Sequence, residues 1–265
     1  MTGGAQGRLR PETSKNFTGG LIFQPSFADL QVSVDYFHIE VDNQIAQAGA
    51  QFILDRCYES ADFRSGEPYC TLVGSRDPTT LDISQIDDSY LNISRQVTAG
   101  VDLTIKYRRE LPHDIRLQFD WDGTVTTTDA VEVLPGSGLD DYNGTFGDPK
   151  LVWNSQIQLK RHRWALFWNM EYIGGTDIYS LTPGAKPGGQ FKLDQGSVLY
   201  HDFSVTYDAD KWKATIGIRN AFDKLPPQIS NNTSAYGSRI GNISAGYGTY
   251  DIYGRTFFVN FTKDF

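Results

Sequence analysis

Asp120 and Asp122 stand two apart in "IRLQFDWDGTV", and two carboxylates on one face are the minimum equipment for general acid and base chemistry. Their stretch is otherwise regular, and no nucleophile or second base converges on them. They read as a polar lining, and no enzyme is expected. Cys57 and Cys70 bracket "CYESADFRSGEPYC". The four histidines are scattered and no Cys-x-x-Cys occurs, so no metal set and no cofactor are expected. In an oxidising setting the two thiols form a disulfide, worth roughly 3 kcal/mol for a loop of about a dozen residues; two unrelated free thiols are the alternative. Acidic residues, among them Asp62, Asp77, Asp129 and Asp148, crowd two stretches and read first as a solvated face. "GSGLDDYNG" and "GYGTYDIYG" lead into no helix, which a phosphate cradle requires. Asn-x-Ser/Thr sequons at Asn16, Asn92, Asn143, Asn231, Asn232, Asn242 and Asn260 are accounted for by a chain rich in those residues.

Composition narrows the elements that carry these residues. A net charge of −8 argues against a nucleic-acid partner, because binding a phosphate backbone needs an extended basic surface. Aromatics at 13% with 26 Gly and only two Met fit strands and turns better than helices. No apolar run reaches the roughly 20 residues of a membrane helix. The mean hydropathy of −0.40 leaves a membrane barrel open, because such a barrel is apolar only at alternate residues. "MTGGAQGRLRPETS" has no apolar core of the kind a signal peptide needs.

Period-two alternation predicts nine strands. They are "KNFTGGLIF", "LQVSVDYFHIEV", "VTAGVDLTIKY", "IRLQFDWDGTV", "LVWNSQIQL", "WALFWNMEY", "LYHDFSVTY", "WKATIGIRN" and the closing "GRTFFVNFTKDF". The phase slips near Phe37, as at a bulge. In the closing stretch Phe257, Val259, Phe261 and Phe265 share one parity. Connections alternate short (24–30, 108–114, 161–163, 208–211) and long (44–90, 127–148, 174–197, 221–252). Phe23, Tyr107, Trp164, Tyr207 and Trp212 fall beside the short turns, with Phe265 on the same rim. That is the arrangement of an all-β, antiparallel transmembrane barrel with short periplasmic turns, long extracellular loops and an aromatic girdle at the headgroups. A sheet in hydrocarbon must pair its edges. With nine antiparallel strands the first and last would meet in parallel, whereas bacterial single-chain barrels hold an even number, so an open or incomplete barrel is expected.

Three stretches resemble the C-terminal part of TonB-dependent outer-membrane receptors. "LRPETSKNFTGGLIFQP" is similar to the family's Leu-x-Pro-Glu-x-Ser segment. "IRNAFDKLPP" is similar to its Asn-Leu-Phe-Asp-Lys stretch, and "YDIYGRTFFVNFTKDF" to its Tyr-Asp-x-x-Gly-Arg terminal strand. The resemblance implies that residues 1–265 are the last strands of a Gram-negative outer-membrane receptor barrel, with the plug and earlier strands outside this chain. It implies energised uptake of an iron chelate, a cobalamin or an oligosaccharide. The implied partners are outer-membrane lipid, the missing barrel and plug, TonB acting only through that plug, and the barrel-assembly machinery. That machinery would read the closing strand, here Gly254, Arg255, Phe257, Val259, Phe261 and Phe265. An autonomous porin or adhesin barrel, or a soluble β-sandwich that binds carbohydrate, are the other classes. Which residues bind ligand is not legible.

Overall fold

The computed structural model describes residues 2–5, 9–60, 63, 66–132, 139–180, 186–189, 192–229, 239–240, 243–244 and 250–263. Phe265, Asp62 and the sequons at Asn231, Asn232 and Asn242 lie outside the described residues.

Nine long strands form: β1 (Thr13–Phe23), β2 (Asp29–Ala46), β3 (Asp88–Leu111), β4 (Ile115–Glu132), β5 (Leu151–Arg161), β6 (Trp164–Ile173), β7 (Val198–Asp208), β8 (Trp212–Arg219) and β9 (Thr256–Lys263). Each pairs with its neighbours in sequence, giving one antiparallel meander with β1 and β9 at its edges. The sheet is open among the described residues. A short strand at Thr2–Ala5 adds in parallel to β3, and Asp140–Asp141 pairs with β4. Short turns fall at 24–28, 112–114, 162–163 and 209–211, and long connections at 47–87, 133–150, 174–197 and 220–255. The tight turns use non-glycine residues in the left-handed region, His113, Asp114 and His162, at φ of 66°, 59° and 51°. His and Asp tolerate that region better than most residues, and such turns match the twist of the flanking strands.

The strands outrun the sequence pattern. Alternation predicts a strand from Val97 and another ending near Val125, whereas β3 begins at Asp88 and β4 ends at Glu132. Ladder hydrogen bonding continues without apolar alternation, so periodicity marks only the stretch with one greasy face. At Phe37, where the alternation slips, the ring lies over Gly100, and a Cβ there would come within 2.6 Å of that ring.

Strand register gathers the apolar parities into continuous rows. Leu117, Leu159, Leu166, Val205, Ile216 and Val259 are successive partners across six strands, and Phe119, Ile157, Trp168, Phe203, Ile218 and Phe257 form the next row. These side chains are not a core. Phe257 and Val259 are each 74% exposed and Ile216 63%. A contiguous apolar face of this extent marks a surface made for an apolar surrounding. No described helix is long and apolar enough to cross a membrane, which says nothing of strands.

Contacts divide the chain into two compact parts. The first comprises Met1–Asn16, Ile39–Val97 and Ala130–Asp141. It holds helix α1 (Ala50–Glu59) and a 3-10 turn at Pro68–Leu72, neither of which the sequence reading placed. Its strand segments are tied by ion pairs, Arg95 Nε to Glu40 at 2.9 Å and Lys15 Nζ to Asp42 at 3.1 Å. The second comprises Phe17–His38, Thr98–Asp129 and Tyr142–Phe265. It carries both apolar rows and a small buried cluster of Ile173, Val198, Tyr200 and Tyr250.

Candidate functional site

The face opposite the apolar rows is polar and acidic. Asp120, Gln156, Asn169 and Asp202 are successive partners across β4 to β7, followed by Asp122, Asn154, Glu171 and Tyr200. The amide of Asn169 donates to Asp202 at 3.3 Å, and Thr124 Oγ1 donates to Asp102 at 2.6 Å. Asp120 accepts a hydrogen bond from Gln118. The structure thus places Asp120 and Asp122 side by side in this polar lining, with Asp120 hydrogen-bonded in it. Toward the long connections this wall opens into a cavity of about 490 Å³ lined by Glu171, Tyr200, Asp202, Arg219, Asn220 and Asp251.

Two of the quoted stretches meet at that cavity. Asn220 is 2% exposed, at φ 46°. Its backbone N–H donates to Asp202 Oδ1 at 2.9 Å, and its Oδ1 accepts from the Lys224 N–H at 2.7 Å. Its Nδ2 donates to the Lys224 carbonyl at 2.9 Å and to Asp251 Oδ2 at 3.0 Å. From the same turn Asp223 accepts the Arg255 N–H at 2.9 Å. Asp251 accepts the Tyr253 N–H at 2.8 Å, and its own N–H donates to the Tyr200 hydroxyl at 3.1 Å. Tyr250 donates to Gln195 at 2.9 Å, and burial holds its phenol above the usual range. The Asn-Ala-Phe-Asp-Lys turn after β8 therefore fixes the Tyr-Asp-Ile-Tyr-Gly-Arg lead into β9.

Gly254 explains its own identity. Its φ is 72°, and an added Cβ would lie 2.8 Å from Asp223 Oδ1, the oxygen that caps Arg255. Gly254→Ala is expected to cost about 1–2 kcal/mol from the left-handed backbone alone, read as a lower denaturant midpoint with unchanged slope. The residues of this knot other than Gly254 and Arg255 carried no role in the sequence reading. Their signal was the pairing of Asn and Asp, which bond their neighbours' backbone in turns.

Cys57 and Cys70 are bonded to one another, with Cα atoms 4.8 Å apart, joining α1 to the 3-10 turn. Around them Ile53 is fully buried, and Phe52 meets Tyr69 edge-on at 5.6 Å. Arg76 stacks over Tyr58 at 5.5 Å and donates to its hydroxyl at 2.9 Å. Asp77 accepts from the N–H groups of Thr79 and Thr80, which hold its carboxyl below the usual range. This long connection is a packed miniature unit. Burial, with the Glu67 carboxylate adding, pushes the Tyr69 phenol up to about 12. Since the unfolded tyrosine ionises near pH 10, the stability that neutral Tyr69 supports is complete below about pH 10 and is lost as pH rises toward about 12. Among the late-titrating phenols seen by phenolate absorbance, one should become ordinary once this unit is unfolded.

Of the aromatics named from sequence, Trp164, Tyr207 and Trp212 come together beside the turns at 162–163 and 209–211. Trp164 and Tyr207 have ring centroids 4.8 Å apart, Tyr207 and Trp212 5.3 Å, and Trp212 and Phe261 5.9 Å. Phe23 sits beside the turn at 24–28, whereas Tyr107 lies four residues inside β3, which runs on to Leu111, and is not next to the turn at 112–114. A second aromatic line, not named from sequence, crosses the same face further up: Trp121 to Trp153 at 6.3 Å and Trp153 to Tyr172 at 5.3 Å, the latter nearly parallel at 9°. Along β6 the two lines are separated by the eight steps from Trp164 to Tyr172. That is about 26 Å at a strand's rise, or about 20 Å along a bilayer normal at the usual tilt.

A family model described as TonB dependent receptor-like, beta-barrel, matches residues 1–221. No curated protein matches the chain. Among solved structures, a mutant of the ferric enterobactin receptor of Pseudomonas aeruginosa aligns at TM-score 0.62 and 16% identity, covering 97% of this chain and 32% of that one. An iron transporter from Neisseria meningitidis aligns at TM-score 0.54 and 11% identity, covering 98% and 32%. The ferric-catecholate import receptor of E. coli aligns at TM-score 0.51 and 13% identity, covering 96% and 27%. At these identities the structures speak for the fold, and the chain spans about a third of their length. With a family match over most of its residues and an open antiparallel meander that carries one apolar face, the chain belongs to the TonB-dependent-receptor-like β-barrel family of the Gram-negative outer membrane.

Proposed function

We propose that these nine strands form part of the wall of an outer-membrane receptor that takes up a ferric chelate. The observation that carries the membrane part is the pair of aromatic lines bounding the aliphatic rows on a single face. Their spacing of about 20 Å approaches the apolar band of about 25 Å between girdles in such barrels. In this reading Trp164, Tyr207, Trp212, Phe23 and Tyr107 lie at the periplasmic headgroups. The acidic wall then faces the lumen, where a plug carried outside these residues would dock, and TonB would act through that plug. The strand from Gly254 and Arg255 through Phe257, Val259 and Phe261 to Phe265 would be the segment offered to the barrel-assembly machinery.

The iron-chelate assignment is supported by the kind of receptor that shares the fold, namely ferric enterobactin and ferric-catecholate receptors. Cobalamin and oligosaccharide are the competing cargoes. Deleting the gene and supplying single ferric chelates under iron limitation should abolish growth on one chelate and leave growth on free iron intact. Unchanged growth on every chelate, with lost uptake of cobalamin or an oligosaccharide, would replace the cargo while keeping the receptor.

A further inference from the structure

On the polar face near the short turns, Arg116 of β4 and Lys160 of β5 are directly registered partners. Two like charges placed opposite one another weaken an antiparallel pair. Their row continues through Ala165, Thr206, Thr215 and Asn260, none of them acidic. Arg108, of the same facing parity on β3, joins them in lining a cavity of about 440 Å³. Asp29 and Glu110 also border it, yet none of the three cations is in an ion pair among the described residues. An adjoining hollow shares Arg108 and adds Lys106. Further along β4 to β7 toward the long connections, the carboxylates Asp120 and Asp202 stand two rows on, and Asp122 and Glu171 three rows on. Positive charge is therefore concentrated at one end of the wall, in a recess, with a repulsion left standing inside it.

We infer that this recess is an oxyanion site, in which Arg108, Arg116 and Lys160 together hold a carboxylate or phosphate group. Two guanidinium forks and an ammonium supply the bidentate and point-charge donors that such groups take. The anion relieves the Arg116–Lys160 repulsion, and that relief is the reason the pair is tolerated. Two sources share this chemistry: an acidic side chain of polypeptide packed against the polar face, or a free anionic solute. The inference does not rest on which cargo is carried, and uptake can fail or succeed without touching it.

The test is thermal unfolding of the full chain in detergent, titrated with inorganic phosphate or a short polyglutamate peptide against sodium chloride at matched ionic strength. A bound anion raises the midpoint saturably, as any ligand of the folded state must. In the Arg116→Gln, Lys160→Gln double variant the apparent Kd should rise at least tenfold. Without anion, Lys160→Gln alone should raise the midpoint, because it removes the repulsion. Binding of polyglutamate in preference to phosphate identifies a polypeptide carboxylate as the occupant; the reverse identifies a free anion. If neither exceeds the chloride control, or if both act equally on the double variant, the site does not exist. Should the double variant fail to fold, the unmodified chain against chloride decides by itself.

Discussion

Phe257→Arg is expected to destabilise the protein when it is folded in a bilayer, the cost of a cation on the lipid face, which rises from about 1 kcal/mol near an interface to about 2–4 kcal/mol at the midplane. The residue is 74% exposed, so in a water-soluble sheet the same change would be close to neutral. Its face comes from register. Phe257 pairs with Ile218 in the row that runs through Phe203, Trp168 and Ile157, and Trp168 lies midway between Trp164 and Tyr172 on β6. Asn260→Arg is the matched control, since Asn260 belongs to the opposite parity, paired with Thr215 on the polar face. Urea unfolding in lipid vesicles should separate the two variants. Equal midpoints would mean that hydrocarbon does not meet the Phe257 face.

Removing the Cys57–Cys70 bond by Cys70→Ser is expected to cost the first compact part about 3 kcal/mol, from the loop-closure entropy restored to its unfolded ensemble. The bond spans 13 residues and joins α1 to the 3-10 turn, around a core of Ile53 and Tyr69 too small to hold a helix of this length by propensity. At about 1.4 kcal/mol per decade, the open population of residues 47–87 should rise roughly a hundredfold, visible as faster cleavage by a protease added outside the cell. The strand ladder should be unaffected, because Cys57 and Cys70 lie outside every long strand. Loss of the whole barrel signal in that variant would show that this unit is needed for insertion.

The sequence alone determined the nine strands, their alternation of short and long connections, and which parity is greasy. Ile216, Val259 and Trp164 could be assigned to one face from spacing, because a strand's side chains alternate with a period of two that needs no knowledge of its neighbours. The resemblance added the family from three short stretches, but not what their residues do.

Only the tertiary structure decided what depends on residues distant in the chain. The Asn220–Asp251 bond spans 31 residues and Asp223–Arg255 spans 32, and no local pattern states that two loops will close on each other. The second aromatic line needed register, since Trp121, Trp153 and Tyr172 belong to three strands. Register also set Arg116 against Lys160, each an ordinary polar residue in its own strand. Hydrophobic periodicity is a property of one chain segment in one solvent, whereas register and loop closure are choices among pairings that the same periodicity allows.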